Sequence, residues 1–445
     1  MTPADRAEPA EPASSYEVCE GWGMTLSRRM FLGGAASVAA IGLTGAGVAS
    51  PQRAFALDPD GMESKMLFGD AQAGASSIPK EGGGGNYHSC RIPAILAIPG
   101  TSVVIAIVEG RPNDNLDASG NFNLLMRRST DSGLTWSGAT VLAGASLDCW
   151  SNPTLVHDRT TGRLYCFMLR RQSGELIEID PKVHLATSDN NGASWTAPMA
   201  RTDLDQPGTG NDFIGPGNGI QRADGSLVVP ARGRLIIKEP TGDWTNHDVP
   251  NGLYVNAAGN RPHPYGEGTV AERSDGQLIL NYRATNWELD RGFPMARRVA
   301  IGNPGDWQMF GAEHWRTQII DPGSHGAQIS HTIGGKPHLI HLNSNSSTRD
   351  NRYAMTLRAS ADDGETWKLY QRPLSNDPLA SQGDLVGNLR EGGYSALTST
   401  GSGIVLALVE ARRVQVDNPS QNDLNYDSSC AVVLRRFNPG WLVRA

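Results

Sequence analysis

From about residue 62 onward, apolar residues fall in short runs bounded by Gly, Pro, Asn, Asp and Ser. That pattern predicts β-strands between tight turns. One hairpin keeps returning. Its clearest copy is residues 267–283, where a polar residue (Glu267) opens a strand, Gly276 turns the chain, and a second strand ends on a polar residue (Arg283). Six versions are present. Their turn glycines are Gly100, Gly162, Gly225, Gly276, Gly335 and Gly401, spaced by roughly 50 to 65 residues. A repeat of that length means a propeller, solenoid or array. With three to four short strands per unit, the pattern predicts an all-β fold, a six-bladed β-propeller of four-stranded antiparallel blades. Residues 431–434 would give a late strand of the last blade, and residues 66–68 its outer strand, closing the ring.

A second repeat supports the first. Ser129-x-Asp131-x-Gly133-x-Thr135-Trp136 returns as Ser360-x-Asp362-x-Gly364-x-Thr366-Trp367, with a variant at Ser188-x-Asn190-x-Gly192-x-Ser194-Trp195. Each reads as a capped turn. The Asp or Asn accepts backbone N–H groups, Gly takes a positive φ and Trp packs beneath. These boxes brace the fold and carry no chemistry. Gly305-Asp306-Trp307 stands where a degenerate box would fall.

Composition fits this reading. The 445 residues include 52 Gly and 27 Pro, and 39% are hydrophobic. That balance favours strands over helices. The net charge of −7 gives no electrostatic support to a nucleic-acid role. The N-terminus reads as a targeting segment. Ser27-Arg28-Arg29-Met30-Phe31-Leu32 precedes a small, Gly/Ala-rich apolar run, and Ala54-Phe55-Ala56 fits a signal-peptidase site. The paired arginines resemble a twin-arginine export signal. Residues 1–56 are therefore expected to be a signal peptide and residues 57–445 one propeller domain. The mature chain is expected to be secreted, at the cell surface or in the periplasm, with no membrane span. Cys19 lies in the leader, and Cys90, Cys149, Cys166 and Cys430 remain. No CxxC or HExxH spacing occurs, so neither a metal nor a cofactor is expected.

In an antiparallel hairpin the start of the first strand and the end of the second lie together. Arg91, Glu267, Tyr394, Arg283, Glu410, the 112–120 loop and the strand near Arg352 should therefore face one rim. Ring closure brings Glu410 near Arg91. Each residue alone is an ordinary solvated strand end. Three arginines and two carboxylates around one tyrosine are not, because converging charge is costly unless a ligand uses it. Three arginines suit a carboxylate ligand. A carboxylate beside a tyrosine can take its proton, and a further acid can protonate a leaving oxygen.

With these residues in place, the chain resembles bacterial sialidases of the glycoside hydrolase group with a six-bladed propeller and Asp-box repeats. The marks are Arg91-Ile92-Pro93, Glu109-Gly110-Arg111-Pro112, Arg127-Arg128-Ser129-Thr130-Asp131, residues 215–221, Asp321-Pro322-Gly323 and Gly393-Tyr394-Ser395. The resemblance implies an exo-α-sialidase that removes terminal sialic acid from glycans, glycoproteins or glycolipids with retention, through a tyrosyl intermediate. It implies that Arg91, Arg283 and Arg352 bind the sugar carboxylate, Tyr394 is the nucleophile and Glu267 activates it. Asp117 would be the acid/base and Glu410 would hold Arg91. Asp117 is preferred to Asp114 because the run from it to Arg127 matches the family's spacing. Arg352 is preferred to Arg349 because Arg352-x-x-x-Thr356-Leu357-Arg358 fits a third strand. Alternatives are a trans-sialidase, a hydrolase for a deaminated nonulosonic acid, and a non-catalytic sugar-binding propeller.

Overall fold

The computed structural model describes residues 62–69, 78–80, 85–113, 117, 121–144, 148–171, 181–206, 212–250, 256–260, 266–308, 315–349, 352–367, 370–373, 389–413 and 430–443. The expected leader, Asp114 and most of the long segment before Tyr394 lie outside these residues.

Six small sheets form a six-bladed propeller. Blade I runs Ser89–Ala97, Val104–Arg111, Asn123–Ser129 and Thr140–Ala143 from its inner to its outer strand. Blades II to V repeat this order. Blade VI takes Leu389–Ser399, Val405–Arg413 and Cys430–Phe437, and borrows Glu63–Phe68 as its outer strand. Met66 pairs with Val433, so the ring is closed by sheet hydrogen bonds between the two ends of the propeller. This is the closure expected from residues 66–68.

The strands read apolar because both faces of each blade are covered. Val104–Arg111 is buried at every position. Adjacent blades share apolar cores: Val104, Ala106 and Val108 pack with Leu406, Leu408 and Val432 between blades I and VI. Burial of each such side chain contributes about 1.5–3 kcal/mol. Four-stranded blades alone could not close these faces, which is why the ring is the stable unit.

Two details differ from the sequence reading. The first strand of blade III is split. Gly217–Asn218 pairs parallel with Thr154 and Leu155 of blade II, and only Ile220–Gln221 joins blade III. Gly219 sits at the switch, where a Cβ would lie 2.5 Å from the Val228 carbonyl oxygen. In the last hairpin it is Gly403, with φ 80°, that takes the left-handed conformation.

The boxes are capped turns. Asp131 Oδ1 accepts from the Thr135 amide at 2.8 Å, and Ser129 Oγ accepts from the Gly133 amide at 2.9 Å. Trp136 Nε1 donates to the Gly133 carbonyl at 2.9 Å. Asn190 makes the same contact with the Ser194 amide at 2.9 Å, so the amide replaces the carboxylate without loss of the turn. Each such bond contributes about 0.5–1.5 kcal/mol net. Asp243-Trp244 plays a reduced version of this part in blade III. The Trp244 ring is buried edge-on against Tyr165 and Phe167.

Candidate active site

The hairpin ends meet at one mouth of the ring, opposite the boxes. Three first strands are bulged there, between Arg91 and Ala94, Ser151 and Thr154, and Glu391 and Ser395. Bulges re-aim side chains beside active sites. Ile92 and Asn152 both have φ 53°, a conformation that costs on the order of 1–3 kcal/mol in a non-glycine residue. The bulge turns the Ile92 amide onto Glu410 Oε1 at 3.0 Å, and the Asn152 amide onto Glu109 Oε1 at 3.0 Å. One latch is thus used twice, each time from a second-strand glutamate to the next blade. In blade VI the bulge needs glycine. A Cβ on Gly393 would lie 2.1 Å from Glu410 Oε2, and one on Gly392 would lie 1.8 Å from the Arg352 carbonyl oxygen.

Tyr394 lies at the centre. Its Oη donates to Glu267 Oε2 at 2.5 Å, and Arg283 Nη1 donates to both oxygens at 2.5 Å. The guanidinium carbons of Arg91, Arg283 and Arg352 lie 5.8, 5.9 and 5.7 Å from the Tyr394 ring centre. Burial pushes the phenol pKa upward, and Arg283 and Arg352 only partly oppose that. The phenol is therefore protonated in the free protein, with its proton aimed at Glu267.

Arg91 Nε donates to Glu410 Oε1 at 3.2 Å, which fixes the guanidinium from behind. Its Nη1 meets Asp117 Oδ1 at 3.1 Å. Arg111 Nη1 reaches the same Asp117 oxygen at 2.6 Å, while its Nη2 binds Glu109 at 2.6 Å. Asp117 has a side chain 61% exposed, against 2% for Arg111. Desolvation raises the Asp117 pKa, but Arg111, Arg91 and Arg352 outweigh it and hold the carboxyl well below the usual range.

The structure thus gathers Arg91, Arg283, Arg352, Glu267, Tyr394, Glu410 and Asp117 at one mouth. Arg349 is instead paired with Asp290 at the surface. Sequence reasoning left Arg111 without a part. The echo of Glu109-Gly110-Arg111 in Glu410-Ala411-Arg412 marks the strand end, but only the fold shows that Arg111 grips Asp117. His325 was also missed. Its ring lies 5.5 Å from that of Tyr394 at 33°. It is fully buried, and burial lowers its pKa to about 4, so it is neutral. It is placed by Asp321, whose Oδ1 accepts from the Gly323 and Ser324 amides, while Ser324 Oγ donates to the Gly393 carbonyl.

Four guanidinium groups and four carboxylates make up this mouth, so it is balanced when Asp117 is ionised. Protonating Asp117 leaves one positive charge, the complement of one ligand carboxylate. Among the described residues, no group of His, Cys, Asp and Glu is arranged to hold a metal. All four described cysteines are buried, and none is in a disulfide with another described residue. A cavity of about 460 Å³ opens at the opposite mouth, but its charged walls are already paired, Glu272 with Arg222 and Arg273 with Glu365.

Residues 119–407 match the BNR repeat-like domain. An exo-alpha-sialidase of Arthroderma benhamiae is 31% identical over 399 residues, covering 83% of this chain and 88% of that protein. An exo-alpha-sialidase of Aspergillus fumigatus is 30% identical over 397 residues, covering 83% and 89%. Among solved structures, the Hadza microbial sialidase Hz136 superposes with a TM-score of 0.61 at 21% identity, covering 79% of this chain and 66% of that one. That likeness bears on the fold.

Proposed function

As the chain belongs to the sialidase family of BNR-repeat glycoside hydrolases, we propose that it is an exo-α-sialidase acting with retention through a tyrosyl intermediate. The observation that carries this reading is the Tyr394 Oη to Glu267 Oε2 hydrogen bond of 2.5 Å within a ring of three arginines.

The sugar carboxylate binds Arg352, Arg283 and Arg91, replacing Asp117 on Arg91. Glu410 and Glu267 hold two of these arginines rigid, so the recognition cost is low. With the sugar carboxylate now offsetting the charge of Arg91 and Arg352, Asp117 takes up a proton from solvent and gives it to the glycosidic oxygen as the bond to the anomeric carbon breaks. Tyr394 Oη forms the new bond to that carbon, and its proton passes to Glu267 Oε2. In the second half, Asp117 takes a proton from water as the water oxygen attacks the anomeric carbon. Tyr394 leaves and recovers its proton from Glu267. Two displacements give net retention.

A phenol suits this substrate. The anomeric carbon carries a carboxylate, which would repel an anionic nucleophile, and a neutral phenol avoids that. Tyr394→Phe keeps the ring and its packing but removes the nucleophilic oxygen. It should fold and lose nearly all turnover of an aryl sialoside; near wild-type turnover would refute the assignment.

Residues 1–56 act, in this reading, as a twin-arginine export signal, supported by Arg28-Arg29 before Phe31-Leu32. Arg28→Lys with Arg29→Lys should hold the protein in the cytoplasm of its host, and unchanged export would count against it.

A further inference from the structure

Among the described residues, five arginine side chains are the most completely sealed from solvent: Arg111, Arg234, Arg297, Arg358 and Arg435. Four of them are answered by carboxylates, namely Glu109, Asp212, Asp321 and Glu391. Arg358 is the exception. Its Nη1 and Nη2 donate to the neutral amide oxygens of Asn343 and Asn345, each at 2.7 Å, and its Nε has no acceptor. Burial alone acts on its pKa, lowering it to about 10, so it remains a cation at neutral pH.

Among the described residues, its neighbours do not supply the missing charge. Arg358 stands directly across the sheet from His341 in blade V. His341 is fully buried, and neither ring nitrogen has a partner. Beyond burial, the groups that act on it are Arg297, Arg358 and His325, and all three disfavour its protonation. The Trp367 ring closes one side, 5.8 Å from the imidazole. The apolar core between blades IV and V is small: Ala271, Ile279, Val299, Ile301, Ile319, Leu339 and Trp367. A buried cation without a counter-charge is far costlier than a buried neutral group. Water would satisfy the open donors but not the charge.

We propose that Arg358 and His341 hold a small inorganic anion, chloride, within the interface between blades IV and V. Arg358 Nε–H and one imidazole N–H donate to it, and its charge offsets the guanidinium. The site stabilises the ring and takes no part in the chemistry at Tyr394, so it stands or falls independently of the proposed reaction.

The test uses the purified protein with gluconate as the balancing anion at fixed ionic strength. Replacing gluconate by chloride should raise Tm by about 2 °C or more in a saturable way. Arg358→Met should abolish that response, and bromide-soaked crystals should show an anomalous peak between Arg358 Nε and His341. A Tm indifferent to chloride, or a peak absent from that position, overturns the proposal. Should Arg358→Met fail to fold, His341→Phe tests the same response, and the wild-type bromide and chloride measurements decide by themselves.

Discussion

Asp117 Oδ1 is bound to Arg91 Nη1 at 3.1 Å in the substrate-free protein. The same arginine is needed by the sugar carboxylate in the proposed reaction. The carboxylate that must become an acid therefore occupies, at rest, the place of the ligand that makes it one.

This arrangement predicts how Asp117→Asn behaves. The amide offers no proton to the leaving oxygen, so turnover of natural sialosides should fall by about 10²–10⁴. Aryl sialosides, whose leaving groups need little protonation, should be affected much less. Steady-state kinetics on both substrates checks this. Equal losses on the two would remove Asp117 from the acid role. Infrared difference spectra should also show Asp117 ionised in the free protein at pH 5, since Arg111 and Arg91 hold its pKa below the usual range.

Arg352 and Arg349 separate cleanly. Arg352 lies 5.7 Å from the Tyr394 ring centre, and Arg349 is paired with Asp290 at the surface. Arg352→Ala should raise KM strongly and weaken a sialic-acid-like inhibitor by about 10²-fold, the scale of a charge-assisted hydrogen bond or two. Arg349→Ala should leave both within about twofold, because exposed pairs contribute little. Titration calorimetry with the inhibitor measures the difference.

His325 predicts a pH dependence of stability. Burial lowers its folded pKa from 6.5 to about 4. Between those values the unfolded chain binds a proton that the folded chain does not, so stability falls as pH falls through that window. The loss from this group approaches about 3 kcal/mol below pH 4. Denaturant melts between pH 7 and pH 4 should show the decline, and His325→Gln should reduce it. His341, also buried and lowered, retains its share in the variant.

Much of this was legible in the sequence because the fold repeats. Glycine turns and capped boxes recur at one spacing, so six weak signals reinforce one another. Glu267 and Arg283 could be placed at one rim because strand pairing joins the ends of one hairpin, and Gly268 does face Tyr282 across it. Other features depend on where one blade meets the next. Arg111 reads as a plain strand end until the fold sets Asp117 against it. His325 follows an irregular link, and no periodicity announces its place behind Tyr394. Gly217–Asn218 joins the preceding blade because Gly219 lets the chain pass close to Val228, a contact that pattern alone does not contain. Arg358 sits at an alternating strand position that reads as solvent-facing, yet the neighbouring blade covers it completely.

The central claim is a double displacement at Tyr394, and the released sugar reports on it. Proton NMR during cleavage of sialyllactose isomers should show the α-anomer of sialic acid first, followed by slow conversion to the β-anomer. A β-anomer appearing first, or no sugar released from any isomer, would contradict the account.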